Sequence, residues 1–128
     1  MNGFFVNDSK QEVNATINGS LANVHVFHDS AIIVTNGTAF VVGGHKSLVV
    51  DIDGAPTSHT LEFKYTGANG IPKTLKGMRV SDWTTATSTT TTAESWIFDI
   101  TGLTTVIMDL SAIVAGVGSL TVKGTAVA

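Results

Sequence analysis

The chain of 128 residues contains no cysteine and only two prolines, and charged residues make up 13% of it. Without cysteine it can form neither a disulfide framework nor a thiolate metal site, and nothing points to an oxidising compartment. Its formal net charge of −3 provides no basic field for nucleic acid or anionic lipid. The length is typical of one domain whose single hydrophobic core is stable without disulfides or bound metal. We therefore expect a single domain over residues 1–128, with no nucleic-acid partner.

The sequence also shows no segment typical of secretion or of membrane insertion. The first ten residues lack the basic start and apolar centre of a secretory signal. Residues 103–122 are apolar enough to suggest a membrane span, but Asp109 lies in this stretch and Gly116 and Gly118 follow it. The sequence therefore predicts no membrane insertion.

The clearest pattern is the alternation of apolar and polar residues over 95–126. A period of two, sustained in three successive runs, is typical of β-strands, whose side chains point to opposite faces in turn. Asp99, Asp109 and Lys123 each interrupt the continuous apolar stripe that a helix would need. The residues predicted to face a core are Trp96, Phe98 and Ile100, then Val106, Met108 and Leu110, then Leu120 and Val122.

Shorter alternating runs precede this region. They predict strands over 3–6, 13–17, 21–27, 31–35, 38–42, 47–53 and 60–66, with a short one near 78–80. Val24 and Val26 share one face of the strand over 21–27, and the dipeptide Asn36-Gly37 predicts a hairpin between the next two strands. The threonine-rich stretch 84–92 offers a core no large apolar side chain, so we expect a long loop or an exposed edge there.

Setting aside one to three of the weakest runs, at 3–6, 13–17 and 78–80, leaves eight to ten strands and no amphipathic helix, which predicts an all-β fold. We expect a two-sheet antiparallel β-sandwich of jelly-roll type, with an immunoglobulin-like sandwich as the alternative. Each buried Leu, Val, Ile or Phe contributes roughly 1.5–3 kcal/mol of transfer free energy, so two packed sheets need no further staple.

Residues 48–126 resemble a known kind of module. They run through TLEFKYTGANG, SWIFDITGL, VIMDLSAIVAG and SLTVKGTA in order, which is similar to the small jelly-roll β-sandwich modules of tailed-bacteriophage virion proteins. Gly102-Leu103 and the tail at 121–126 carry the match. Asp109 departs from it, because such modules often have a basic residue at that place. The resemblance implies a structural or binding role in a phage particle, and the fold alone does not decide which.

Catalytic and metal-binding patterns find little support. There is no G-x-S-x-G turn for a nucleophilic serine, and a cysteine nucleophile is excluded. The four histidines, at 25, 28, 45 and 59, are scattered, so we expect solvated residues in loops or at strand ends rather than a metal site. Asp51 and Asp53 are interpreted as outward strand residues before a turn at Gly54, not as calcium ligands. The sequence therefore predicts no enzyme, no metal and no cofactor.

Aromatic side chains are the best candidates for ligand contact, because sugars stack on exposed flat rings. Trp83 lies in a polar stretch beside the threonine-rich segment, and Tyr65 ends a strand. We predict both as carbohydrate-contact residues, with packing over the sandwich edge as the plainer alternative for Trp83. Trp96 is assigned to the core.

The sequence thus predicts a non-enzymatic structural component of a tailed bacteriophage particle, made in the bacterial cytoplasm and located in the virion. The leading hypothesis is a tail-associated protein that assembles with itself, as a homo-oligomer, or with other virion proteins. A carbohydrate-binding module that recognises cell-surface glycans and a capsid decoration protein are the alternatives.

Overall fold

A computed structural model describes residues 22–128, and this part of the chain is built from β-strands. The strands predicted over 3–6 and 13–17 lie outside the described residues. The strands are β1 (Ala22–Ala31), β2 (Phe40–Val41), β3 (Ser47–Gly54), β4 (Ser58–Thr66), β5 (Lys73–Thr74), β6 (Gly77–Arg79), β7 (Thr85–Ala86), β8 (Ser88–Thr89), β9 (Glu94–Asp99), β10 (Thr105–Val114) and β11 (Leu120–Val127).

Two antiparallel sheets form the sandwich, which confirms the predicted fold class. The larger sheet has the order β1-β11-β3-β9-β6-β7, and the smaller has the order β2-β10-β4-β5, with β8 also paired to β4. From β3 onward the long strands β3, β4, β9, β10 and β11 alternate between the two sheets. Each therefore pairs with a strand that is distant in sequence.

The core lies between the sheets and is filled by the inward positions of every long strand. All eight residues predicted to face a core from 95–126 are buried. Aromatic rings form the centre: the Phe63 ring lies 5.1 Å from that of Trp96 and 5.0 Å from that of Phe98, centroid to centroid. Tilted and edge-to-face rings at this spacing add roughly 0.5–1.5 kcal/mol per pair to the gain from burial.

The prediction of a hairpin at Asn36-Gly37 is wrong. Gly37 does adopt the left-handed backbone conformation, with φ +67°, but the segments on either side of it pair elsewhere. Thr35 bridges Leu110 of β10, and the amide of Thr38 donates to the carbonyl of Phe27. The turn chemistry was correctly identified, but tertiary pairing determines where the flanking residues go.

The threonine-rich stretch 84–92 partly forms the exposed edge that the sequence predicts. It contributes β7 to one edge of the larger sheet, and it also contributes β8 to the smaller sheet. Thr89 in β8 is buried, which a loop or an exposed edge does not predict.

No helix within residues 22–128 is long and apolar enough to cross a membrane. The stretch 103–122, which is apolar enough to suggest a span, instead holds β10 and the start of β11.

Candidate functional site

The outer face of the larger sheet carries a row of mainly apolar side chains, interrupted by threonines. The pairing register places Val24, Thr125, Val49, Ile97, Met78 and Thr85 directly beside one another, strand by strand, across the whole sheet. Residues opposite one another in antiparallel strands share a face. Because Val50 and Phe98, the chain neighbours of Val49 and Ile97, point into the core, this row points outward.

Val26 and Val80 lie at the two ends of the next row on this face, with Lys123, Asp51 and Ser95 between them, and both valines are exposed. We call Val24, Val26, Val49, Met78, Val80 and Ile97 the outer apolar band. Val24 has 67% of its surface exposed, and Ile97 has 38%. Single exposed apolar residues need no explanation, but several on one sheet face, with Val49, Ile97 and Met78 as direct neighbours, are typical of an interaction surface.

A shallow groove of about 620 Å³ lies in this band, at the end where β6 and β9 pair. Met78 and Ile97 line it together with the ring of Phe98, and Lys46 and Lys76 also border it. Gly77 brings β6 close to the core here, because a Cβ atom at this position would lie 2.4 Å from Cε2 of Phe98. The surface is therefore apolar at its centre and charged at its rim, as interfaces are.

Trp83 lies at the tip of the loop between β6 and β7. Its amide donates to the carbonyl of Arg79 (2.8 Å), and the amide of Arg79 donates to the carbonyl of Thr84 (2.8 Å), which closes the loop. Trp83 has φ +60° and 62% of its surface exposed. A bulky side chain in this left-handed region is a backbone outlier that costs about 1–2 kcal/mol. The ring is thus held in solvent at an energetic cost.

The loop is anchored by the carboxylate of Asp82, one of its own residues. The carboxylate of Asp82 accepts from the Thr84 amide (3.0 Å) and from the Arg79 guanidinium (3.1 Å). The Thr84 amide, assisted by the Arg79 charge, holds the pKa of Asp82 below its usual value. The Arg79 guanidinium also lies 5.1 Å from the centroid of the Trp96 ring.

Glu94 joins the threonine-rich segment to the core beneath this loop. Its Oε2 accepts from the Thr89 hydroxyl and from Nε1 of Trp96, both at 2.6 Å, and its Oε1 accepts from the Thr91 hydroxyl. Nε of Arg79 lies 3.3 Å from Oε1 as an ion pair. Burial raises the pKa of Glu94, but the three hydrogen bonds and the charge of Arg79 outweigh it and lower the pKa overall.

Tyr65, the second predicted contact residue, lies apart from Trp83. It belongs to β4 in the smaller sheet, is only partly exposed and packs against the core. Trp83 lies in a loop of the larger sheet, so the structure does not bring the two rings into one site. Trp96 is fully buried, as expected.

The expectation that all histidines are solvated is wrong for two of the four. His28 and His59 are both buried, and a ring nitrogen of His28 bonds to the carbonyl of Met108 (2.6 Å). His25 and His45 bond to nearby carbonyls of Thr38 and Val42. Among residues 22–128 no three His, Asp or Glu side chains converge to hold a metal ion.

The aspartates that precede Gly54 are exposed on β3, as expected for outward strand residues. Gly54 has φ +129°, and a Cβ atom there would lie 2.1 Å from the carbonyl oxygen of Ser119. Asp51 accepts a hydrogen bond from the hydroxyl of its cross-strand neighbour Ser95. An outward-facing strand end followed by a turn at Gly54 therefore explains residues 51–54.

The fold and its outer band define a β-sandwich with an apolar external face. Comparison with known proteins identifies its family: the sequence profile of the XepA family matches residues 21–126, so the chain belongs to the XepA family. The phage-like element PBSX protein XepA of Bacillus subtilis (strain 168) is 37% identical over 102 residues, which cover 80% of this chain and 36% of that protein. The uncharacterized protein YqxG of the same organism is 37% identical, over 80% of this chain and 34% of YqxG.

The chain thus spans about a third of the length of these two relatives. The SPbeta prophage-derived protein YomS of the same organism is closer in size: it is 38% identical over 77% of this chain and 80% of YomS. Solved structures agree with this grouping. The crystal structure of the PBSX exported protein XepA superposes with a TM-score of 0.83 at 34% identity, over 88% of this chain and 40% of that one. The crystal structure of YomS gives 0.81 at 34% identity, over 90% of this chain and all of that one.

The match to PBSX and SPbeta proteins supports the phage origin that the resemblance implied. The sequence analysis does not predict the outer apolar band. The signal was present in the sequence, because Ile97 occupies an outward position and the strand over 21–27 has apolar residues on both faces. Its extent across the sheet could not be found from the sequence, because it depends on the order of the strands.

Proposed function

We propose that this chain is a non-enzymatic structural component of a bacteriophage particle and assembles through its outer apolar band. The observation that supports this proposal most is the largely apolar row that runs from Val24 through Thr125, Val49 and Ile97 to Met78, in which Val24, Ile97 and Met78 are exposed. The family membership supports the phage setting, since the relatives include products of PBSX and SPbeta.

The occupant of the band is a second copy of the chain or another particle protein. Burial of apolar surface stabilises an interface by about 25 cal/mol per Å² before association costs are subtracted. Lys76 borders the groove, and Lys123 and Asp51 lie between Val26 and Val80, so this face offers charges of both signs to a partner. Such charges set register rather than supply the main affinity.

Sedimentation of the purified chain tests this assembly. The wild type is expected to form discrete oligomers as its concentration rises. Ile97→Lys places a charge at the centre of the band and is expected to yield monomers with an unchanged circular dichroism spectrum. Val41→Lys is the matched control, because Val41 is exposed on the smaller sheet. A monomeric wild type that is also absent from purified particles would refute the proposal.

Within the particle we propose a tail-associated position, with capsid decoration as the alternative. Gold labelling of a tagged chain on intact particles, viewed by electron microscopy, separates the two. Label along or at the end of the tail supports the first, and label distributed over the capsid supports the second.

A second candidate function is recognition of cell-surface glycans through Trp83. The specific observation in its favour is that a largely exposed indole is held in a strained left-handed conformation. Strain of this kind concentrates at binding and catalytic sites, and an indole face suits the C–H face of a pyranose. Tyr65 is not part of this site, since it packs against the core of the other sheet.

A glycan array tests the second candidate. Saturable binding that Trp83→Ala abolishes and Val80→Ala preserves is the expected result, since Val80 is an exposed neighbour on the same hairpin. Binding that survives the loss of the indole would exclude Trp83 as the contact.

A further inference from the structure

The groove in the outer apolar band is large enough to receive one bulky side chain of a partner. Its volume is about 620 Å³, and Met78 and Ile97 are among its lining residues. The pairing register places Met78 between Ile97 and Thr85, so these three side chains share the outer face of the larger sheet. Met78 is 37% exposed and Ile97 is 38% exposed. An apolar side chain in the groove would therefore cover surface that is now open to solvent.

The loop of the same hairpin presents a side chain of matching character. Trp83 lies between β6 and β7, and 62% of its surface is exposed. It does not line the groove of its own molecule. Its φ of +60° is unfavourable for a bulky residue, and backbone strain of this kind is common at binding sites. Tryptophan is also among the residue types most enriched in the energetic centres of protein interfaces.

The rim of the groove carries positive charge in excess. Lys46 and Lys76 both border the groove and are exposed. Neither lysine forms an ion pair with an acidic side chain of residues 22–128. Asp99 is the acidic residue that borders the groove, so two positive charges face one negative charge. The rim therefore favours a partner that brings a carboxylate.

A carboxylate lies directly beside the exposed indole. Asp82 precedes Trp83 in the loop, and its Oδ1 accepts from the Thr84 amide while its Oδ2 accepts from the Arg79 guanidinium. An ionised carboxylate has about four acceptor positions, so both oxygens can accept further bonds. The loop thus offers an apolar ring and a negative charge, and the groove offers an apolar floor and a positive rim.

We propose that the Trp83 indole of one copy of the chain enters the groove of a second copy, with the Asp82 carboxylate near the lysines at its rim. This contact rests on the proposed function, because it names the occupant of the outer apolar band. Every copy carries both the indole and the groove, so the chain supplies its own partner. An indole in the groove is not free to contact a glycan, so the two roles of Trp83 are alternatives.

Sedimentation velocity of the full chain over a range of concentrations tests the contact. The wild type is expected to self-associate. Trp83→Ala is expected to raise the dissociation constant at least about thirtyfold, which is the effect of losing an interface hot spot. Ile71→Ala is the matched control, because Ile71 is also 62% exposed but precedes β5 of the smaller sheet. It is expected to associate as the wild type does, and circular dichroism checks that each variant is folded.

Mixing two variants provides the sharpest test. Trp83→Ala keeps the groove but lacks the indole, whereas Ile97→Lys keeps the indole but places a charge in the groove. Each variant alone is expected to be monomeric at concentrations at which the wild type associates. An equimolar mixture is expected to form a 1:1 complex, because the indole of the second variant can enter the groove of the first. A chain with both substitutions is the control and is expected to form no complex with Trp83→Ala.

Replacing both rim lysines tests the charges. The double variant Lys46→Glu and Lys76→Glu brings two acids to the partner's Asp82, so its association is expected to weaken at least about fivefold at low ionic strength and less in high salt. Lys73→Glu is the control, because Lys73 is an exposed lysine of β5 in the smaller sheet. It is expected to leave association unchanged.

Three results would overturn the proposal: undiminished association of Trp83→Ala, no complex in the mixture of variants, or undiminished association of the double lysine variant. If Trp83→Ala associates as the wild type does, the band still mediates assembly, and the proposed function survives without this contact. A wild type that does not self-associate would also overturn the contact. The proposed function would then depend on the presence of the chain in purified particles.

Discussion

Replacing Glu94 by Gln probes the contact that holds the threonine-rich segment against the core. Glu94 is nearly buried: its two oxygens accept three hydrogen bonds, and the Arg79 guanidinium lies beside Oε1 as an ion pair. Glutamine has the same shape but only one oxygen. Its amide nitrogen must therefore face two of the donors, and Trp96 Nε1 and the Arg79 guanidinium cannot turn round to accept.

The expected loss follows from the strength of these bonds. A hydrogen bond to a charged group contributes about 1.5–3 kcal/mol, against about 0.5–1.5 kcal/mol for a neutral one. Three such bonds to Glu94 each weaken by roughly 1 kcal/mol, so Glu94→Gln is expected to lower the free energy of unfolding by about 3 kcal/mol. Glu62→Gln is the control. Its partner Lys64 lies 3.5 Å away at the surface, and exposed pairs contribute about 0–1 kcal/mol.

Urea denaturation followed by tryptophan fluorescence measures both variants. The midpoint should fall for Glu94→Gln with an unchanged slope. The pKa of Glu94 is lower in the folded state than in the unfolded one. Its stabilisation is therefore present above the unfolded pKa and is lost as the pH falls through the folded pKa. The gap between wild type and variant should accordingly close in acid. A loss below about 1 kcal/mol, or a gap that does not change with pH, would refute this reasoning.

Further changes test other parts of the account. Trp83→Gly should leave stability unchanged or raise it by up to about 1 kcal/mol, because glycine adopts φ +60° freely; a clear loss would mean that the indole packs structurally. Gly77→Ala should cost about 1–3 kcal/mol through contact with the Phe98 ring, seen as a lower melting temperature; no change would show that the ring gives way. The burial of His59 lowers its folded pKa below 6.5, so stability should fall as the pH drops through and below 6.5. His59→Phe should remove that part of the pH dependence, and a curve that keeps it would assign the effect to other groups.

The strands were predictable wherever one face is apolar and the other polar. The strands over 95–126 were found because Trp96, Met108 and their neighbours repeat with a period of two, and burial of one face enforces that register. The turn at Gly54 was predictable for a different reason: a turn depends on the residues within it, and the sequence places glycine there.

The sequence was less informative where pairing is decided by distant residues. Asn36-Gly37 favours a turn, but Thr35 pairs with β10 and Thr38 with the carbonyl of Phe27, contacts between residues far apart in sequence. Buried Thr89 donates its hydroxyl to Glu94, which also accepts from Nε1 of Trp96, and no local pattern encodes this network. His59 is inward for the same reason as Leu61, and the alternation of β4 extended one residue earlier would have placed it there.

The composition of purified particles tests the central proposal most directly. Particles released from a lysogen that encodes this chain are purified by density gradient and analysed by quantitative mass spectrometry, with the major coat protein as the reference. A structural component is expected to remain with the particles after high-salt washing, in a fixed and reproducible ratio to the coat protein. A chain that is made during induction but is found only in the fraction free of particles would contradict the account.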